Sequence, residues 1–228
     1  MSSFENPELL IELVESPEFG DSLHKVANHT IEAEMEAGFA VYSLGLGFRI
    51  SELVYGDYWG DFDGELVKRL EMKTIIHDQD DHMRDDILFT LHSHPESSED
   101  QAPDEALVDF ETYQVFEKRQ GPFRHMHRRH LVPSLGDMML YQNINEANPG
   151  HVSAILTSDR EVALAGLLMY RHPSDKPQAL NPINPETLSL DRGYMFGQMV
   201  NNGYRYVNTV YDLANQQTPD TQILQILF

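Results

Sequence analysis

At 228 residues and 26.1 kDa, with 41% hydrophobic and 10% aromatic residues, the chain suits one compact domain with appendages and is apolar enough to bury a core. It has no cysteine, which excludes disulfides, thiolate zinc sites, thiol nucleophiles and iron–sulfur clusters, and leaves histidine, aspartate and glutamate as the strong metal ligands. With 37 acidic residues against 16 basic ones the formal net charge is -21, which argues against nucleic-acid binding through a basic patch.

Residues 6 to about 36 carry apolar side chains at helical spacing twice, first Leu9, Leu10 and Leu13 and then Leu23, Val26 and Ile31, which predicts two helices separated by SPEFGD. The period then shortens. FAVYSLG, FRISELVYG, KTIIHD and DILFTLHSHP are β-branched and aromatic runs bounded by glycine or aspartate, and they predict strands of a mostly antiparallel sheet. Helical spacing returns over residues 104–119, and GPFRHMHRRHLVP reads as a loop closed by Pro133. Residues 135–145 read as a helix, and HVSAILTS and EVALAGLLMYR as a strand pair turning at Ser158, Asp159 and Arg160. PSDKPQALNPINPE reads as a linker and residues 187–228 as a helical tail. The order of elements, without internal repeats, predicts an α+β fold.

The longest apolar run, residues 162–170, spans nine residues where a bilayer needs about 20, and the acidic start MSSFENPELLIELVE lacks the positive charge of a signal peptide. A cytoplasmic protein with no membrane partner is expected. The acidic excess repels itself in dilute salt, yet at molar salt the Debye length falls to about 3 Å. It fits a salt-loving source and an ordinary acidic protein alike, and a melting temperature that rises with KCl would mark the former.

The strongest chemical signal is Leu91-His92-Ser93-His94-Pro95 at the end of an apolar run. In a strand, residues i and i+2 share a face, so His92 and His94 can close on one ion from the strand's end, although two surface histidines would give the same pattern. A third ligand is available from Pro133-Ser134-Leu135-Gly136-Asp137, just ahead of a helix. Ser-x-x-Asp there is also what a capping box looks like, and taken alone capping explains it.

A distant glutamate, then His-x-His-Pro, then Ser-x-x-Asp resembles the JAMM signature of the JAB/MPN metalloprotease family. The glutamate is best matched by Glu36 in Glu36-Ala37-Gly38-Phe39-Ala40-Val41-Tyr42, with Glu34 the runner-up, and the resemblance covers about residues 22–172 less an insert. The family places seven residues between the second histidine and the serine, whereas residues 95–133 make 39 here. Closing the longer loop costs only about 1.5 kcal/mol, since the entropy grows with the logarithm of length. The on-spacing alternative would use Ala102 and Glu105, which loses the hydroxyl and lengthens the carboxylate, so Ser134 and Asp137 are preferred.

The resemblance implies a JAB/MPN-like domain over residues 1–175, with a mixed, mostly antiparallel sheet flanked by helices in a cytidine-deaminase-like topology. It leaves a helical insert at about 96–132 and a linker with a helical extension over 176–228. It further implies Zn2+ held by His92, His94 and Asp137, with Glu36 as the base and Ser134 hydrogen-bonding the developing oxyanion. The expected activity is hydrolysis of an amide or isopeptide bond in a protein or peptide substrate, such as a ubiquitin-like modifier on lysine or a C-terminal tail. An extended tail would lie along an edge strand beside the metal, gated by the insert. The alternative is a catalytically inactive MPN-type scaffold, which would carry no zinc where the enzyme carries about one per chain.

Other metal chemistries fit less well. Zinc nucleobase deaminases need a Pro-Cys-x-x-Cys pair, the 134 residues after His94 are too few to complete an amidohydrolase barrel, and neither His-Glu-x-x-His nor a phosphate-binding P-loop is present. His125, His127 and His130 sit beside Arg128 and Arg129, which disfavour a cation and suit a substrate-contacting or fold-stapling loop. His77 and His82, among Asp78, Asp80, Asp81, Asp85 and Asp86, read as a solvated hairpin or a salt-ion site.

Overall fold

Two prolines open the first two helices. Helix α1 (Pro7–Glu15) and helix α2 (Pro17–Ala33) both begin at proline, whose fixed φ and missing N–H suit the first helical position. Ser16 alone parts them: its Oγ accepts the Phe19 N–H at 3.2 Å as an N-cap and donates to the Leu13 carbonyl at 2.7 Å. The break expected over SPEFGD is therefore one residue long, because its proline starts a helix instead of ending one. The structure is a computed structural model that describes residues 7–33, 35–44, 47–60, 66–69, 87–95, 133, 135–159, 164–173, 180, 183–186, 189–190, 192–214 and 221–228.

The strands are β1 (Ala37–Leu44), β2 (Gly47–Ile50), β3 (Val54–Tyr55), β4 (Asp57–Gly60), β5 (Leu66–Arg69), β6 (Ile87–Ser93), β7 (Val152–Asp159), β8 (Leu164–Arg171), β9 (Ile183–Asn184), β10 (Ser189–Leu190) and β11 (Arg205–Asp212). Helix α3 (Leu135–Ala147) precedes β7, helix α4 (Arg192–Asn201) precedes β11, and a 3-10 helix (Thr221–Leu227) follows it. Seven strands form the main sheet in the order β11-β8-β7-β6-β1-β2, with β3 also on β1. Its pairs are antiparallel except β6 with β7, so the fold is α+β with a mixed, mostly antiparallel open sheet, as expected. β4 with β5 and β9 with β10 are separate two-stranded sheets.

Several elements differ from expectation. FRISELVYG splits into β2 and β3 at Ser51, whose N–H donates to the Ala40 carbonyl while its Oγ accepts the Ala40 N–H, so a side chain takes over the ladder where the strand breaks. Ser158 and Asp159 belong to β7, whose pairing runs to Asp159 opposite Leu164. The linker PSDKPQALNPINPE contains β9. The tail expected to be helical over 187–228 is only partly so: Arg205–Asp212 is an edge strand paired with β8 along its whole length. Val207, Thr209 and Tyr211 are buried while Tyr206 and Asn208 are half-buried, a period of two that marks a strand. The β4–β5 hairpin has no counterpart among the predicted elements. KTIIHD, the helix over 104–119, Ala102, Glu105, His77, His82, His125, His127 and His130 lie outside the described residues.

Alternation along the strands sends apolar side chains to both faces of the sheet. On one face Phe39, Phe89, Leu91, Ala154, Leu156, Leu167 and Val207 pack under α1, α2 and the 3-10 helix, with Phe19 of α2 edge-on to Phe39 and Phe89 at 5.8 and 5.6 Å. On the other, Ile155, Leu168 and Tyr170 meet Met138 and Tyr141 of α3 and Met195, Phe196 and Met199 of α4. The pairing of β1 with β6 slips between Val41 and Tyr42, leaving Leu88 without a cross-strand partner as a bulge. No helix among the described residues is long and apolar enough to cross a membrane.

Candidate metal centre

The parallel pairing of β6 with β7 brings the end of β6 to the start of α3. It runs from Phe89 opposite Val152 to Ser93 opposite Leu156, and the His94 N–H extends it by donating to the Leu156 carbonyl at 2.8 Å. His92 and His94 are therefore held by backbone bonds up to Pro95. Asp137 lies in the first turn of α3, where the helix dipole favours a carboxylate. Tyr141, one turn on and on the same helix face, fixes that helix: its hydroxyl accepts the His172 N–H at 2.6 Å and donates to Asn145 Oδ1 at 3.4 Å. Asn148, just past α3, accepts the Ile87 N–H at 2.9 Å and so ties that helix end to the start of β6.

Three predicted ligands converge as a result. His92 Nε2 and His94 Nε2 are 2.9 Å apart, and the Asp137 carboxylate straddles them, Oδ1 at 3.1 Å from His92 and Oδ2 at 3.4 Å from His94. The histidines are buried and the Asp137 side chain is 12% exposed. A tetrahedral zinc site with bonds of 2.0–2.1 Å has donor–donor edges of about 3.3 Å. Each histidine lies within a few tenths of an ångström of that from the other and from its nearer carboxylate oxygen, and one donor atom from each residue can be chosen with all three within 4.8 Å of one another, so the group could hold a metal ion. It is the only such group of three or more among the described residues.

The electrostatics suit a cation. Burial would push the Asp137 carboxyl up, but the two imidazoles outweigh it and hold it well below the ordinary value. Burial would likewise depress His92, and the Asp137 carboxylate, with a contribution from Glu36, overcomes this and raises it. His92 Nδ1 is buried with no hydrogen-bond partner among the described residues. With Nε2 turned to a metal, that nitrogen would carry the ring proton.

Glu36 stands near the group. Gly38 pairs with His92 as the last rung between β1 and β6, Glu36 lies two residues before Gly38, and its charge contributes to raising His92. The Glu36 carbonyl accepts the Gly56 N–H at 2.8 Å, and its side chain is half-buried. Ser134 and Glu34 lie outside the described residues.

Sequence reasoning did not single out the polar residues that support the site. Thr30, Tyr141 and Asn145 read as ordinary helix positions and Asn148 lies beyond the helix expected over 135–145; the spacing of Tyr141 four residues after Asp137 is the one sequence signal that could have found a shared face. His151, stacked on Tyr141 at 4.5 Å, is a structural histidine kept neutral, its pKa pushed down to about 3 by burial and by Arg171. No family model, curated protein or solved structure matches this chain.

Proposed function

We propose that the chain is a zinc-dependent peptidase or isopeptidase of the JAMM type, with JAB/MPN-like topology and a cytoplasmic location. The observation that supports this is the meeting of His92, His94 and Asp137 across the intervening residues 95–136, in the order of the JAMM signature. Two neutral imidazoles and one carboxylate would hold a divalent ion with net positive charge. A zinc ion bound there would supply Lewis acidity and make hydroxide available near neutral pH.

The chain's own residues do the rest. Glu36, two residues before the Gly38 that pairs with His92, takes a proton from water and delivers it to the departing amine, so that amide and water become acid and amine. Ser134 donates a hydrogen bond to the substrate's carbonyl oxygen as charge develops on it. The substrate is a protein or peptide, such as a ubiquitin-like modifier joined to lysine, its extended tail lying along a strand edge with residues 96–132 gating access.

Cleavage of an isopeptide-linked modifier by the full chain should stop with EDTA, return with zinc, and be lost in Glu36→Ala. About one zinc per chain is expected by elemental analysis, and none in His92→Ala. Cleavage indifferent to EDTA and to Glu36→Ala would refute the mechanism, and a zinc-free wild type would leave an interaction scaffold as the surviving alternative.

A further inference from the structure

Ser93 sits between the two histidines in sequence but on the opposite face of β6, turned toward α2. It is fully buried. Its Oγ accepts the Ala37 N–H at 2.9 Å, lies 3.2 Å from the Ala37 carbonyl, and is 2.5 Å from Thr30 Oγ1. Thr30, buried near the end of α2, also reaches the Val26 carbonyl at 2.8 Å. Two hydroxyls thereby join three elements at one point: the end of β6, the first residue of β1, and α2. Both neighbours of Ser93 belong to the metal group, and the residue before Ala37 is Glu36.

We infer that the Thr30–Ser93 hydroxyl pair is a positioning clamp for the metal centre, fixing the backbone that carries His92 and His94 against the backbone that carries Glu36. An apolar pair of the same shape would fill this interior about as well, since replacing both partners of a buried hydrogen bond is nearly neutral for stability. It would not hold the strand ends at a set distance, as contacts of 2.5 and 2.9 Å do. Threonine is also a poor choice for helix propensity, and its bond back to the preceding turn adds nothing to the helix. The use of the hydroxyl lies across the interface, toward Ser93.

This inference rests on the reading of His92, His94 and Asp137 as a metal centre. The test measures zinc affinity of the full chain by chelator competition, together with the absorption spectrum of the cobalt(II)-substituted protein. Thr30→Val, nearly isosteric, should bind zinc about 10–100-fold more weakly and shift the cobalt bands, the range seen when a ligand's supporting partner is removed. Thr30→Ser keeps the hydroxyl and should restore both, a rescue that a purely space-filling role does not predict. Should Thr30→Val fail to fold, Ser93→Ala, which deletes one oxygen, is read in the same way. Wild-type affinity and spectrum in a folded variant would overturn the clamp while leaving the metal centre intact. A wild type that binds no zinc would overturn the centre itself, and the clamp with it.

Discussion

Asp137→Asn keeps the shape of the side chain and removes its charge. In the metal-free protein the carboxylate meets His92 at 3.1 Å and His94 at 3.4 Å in a largely buried site. The Asp137 carboxyl is held well below its ordinary 3.8, so it contributes stability above that value, lost as pH falls through the lowered one. His92 is held above its ordinary 6.5, so it contributes stability below that value, lost as pH rises through the raised one. The metal-free wild type should therefore be most stable between about pH 4 and 6.5 as far as this pair is concerned. Removing one partner of a buried pair costs about 3–5 kcal/mol. For a chain of this length each kcal/mol moves the melting temperature by about 2–4 °C, so Asp137→Asn in EDTA at pH 6 should melt about 6–20 °C below wild type. The gap should narrow as His92 loses its proton. Zinc at about 1,000 times its Kd should stabilise the wild type by about 4 kcal/mol, or about 8–16 °C, and the variant far less. Circular dichroism melts from pH 5.5 to 8, with EDTA or zinc, read both effects. Equal zinc shifts in the two proteins, or a gap that does not change with pH, would defeat the reasoning.

Other perturbations have equally definite outcomes. Glu36→Gln should lower kcat by about 10²–10⁴ with zinc content unchanged, and a matching loss of zinc by elemental analysis would make Glu36 a ligand and not the base. Tyr141→Phe removes the acceptor of the His172 N–H and should cost about 1–3 kcal/mol, or about 2–12 °C in a thermal melt. Gly150 has φ 84°, and a Cβ there would lie 2.7 Å from Arg171 Nη2, beside the guanidinium that sits 4.4 Å over the Phe228 ring. Gly150→Ala should therefore lower the melting temperature by about 2–8 °C, from about 1–2 kcal/mol of left-handed strain before any displacement of Arg171.

Local pattern carried much of the architecture into the sequence. β1, β6, β7 and β8 are apolar enough to read as buried strands, and α3 announces itself by the apolar spacing after Ser134-Leu135-Gly136-Asp137. The His-x-His pair was legible because strand periodicity alone puts both rings on one face. What escaped depends on tertiary context. RYVNTVYD places Arg205, Asn208, Thr209 and Asp212 out of step with a period of two and follows a helix, so its strand character becomes plain only once β8 is there to pair with it. Pro17 reads as a breaker unless Ser16 is seen capping the helix behind it. Asp137 and a capping box are indistinguishable in sequence, and only the distances to His92 and His94 bring the carboxylate to the histidines. Thr30 and Ser93 are 63 residues apart, and no periodicity links them.

The one parallel pairing among the described strands of the main sheet gives the histidines a support separate from that of the carboxylate. Because β6 is zipped to β7 through His94, and α3 is bolted down by Tyr141 and Asn148, each half of the ion-binding trio has its own anchorage. The two histidines and the carboxylate thus keep their meeting point through backbone and side-chain bonds that lie among the described residues on either side of Pro95 and Pro133.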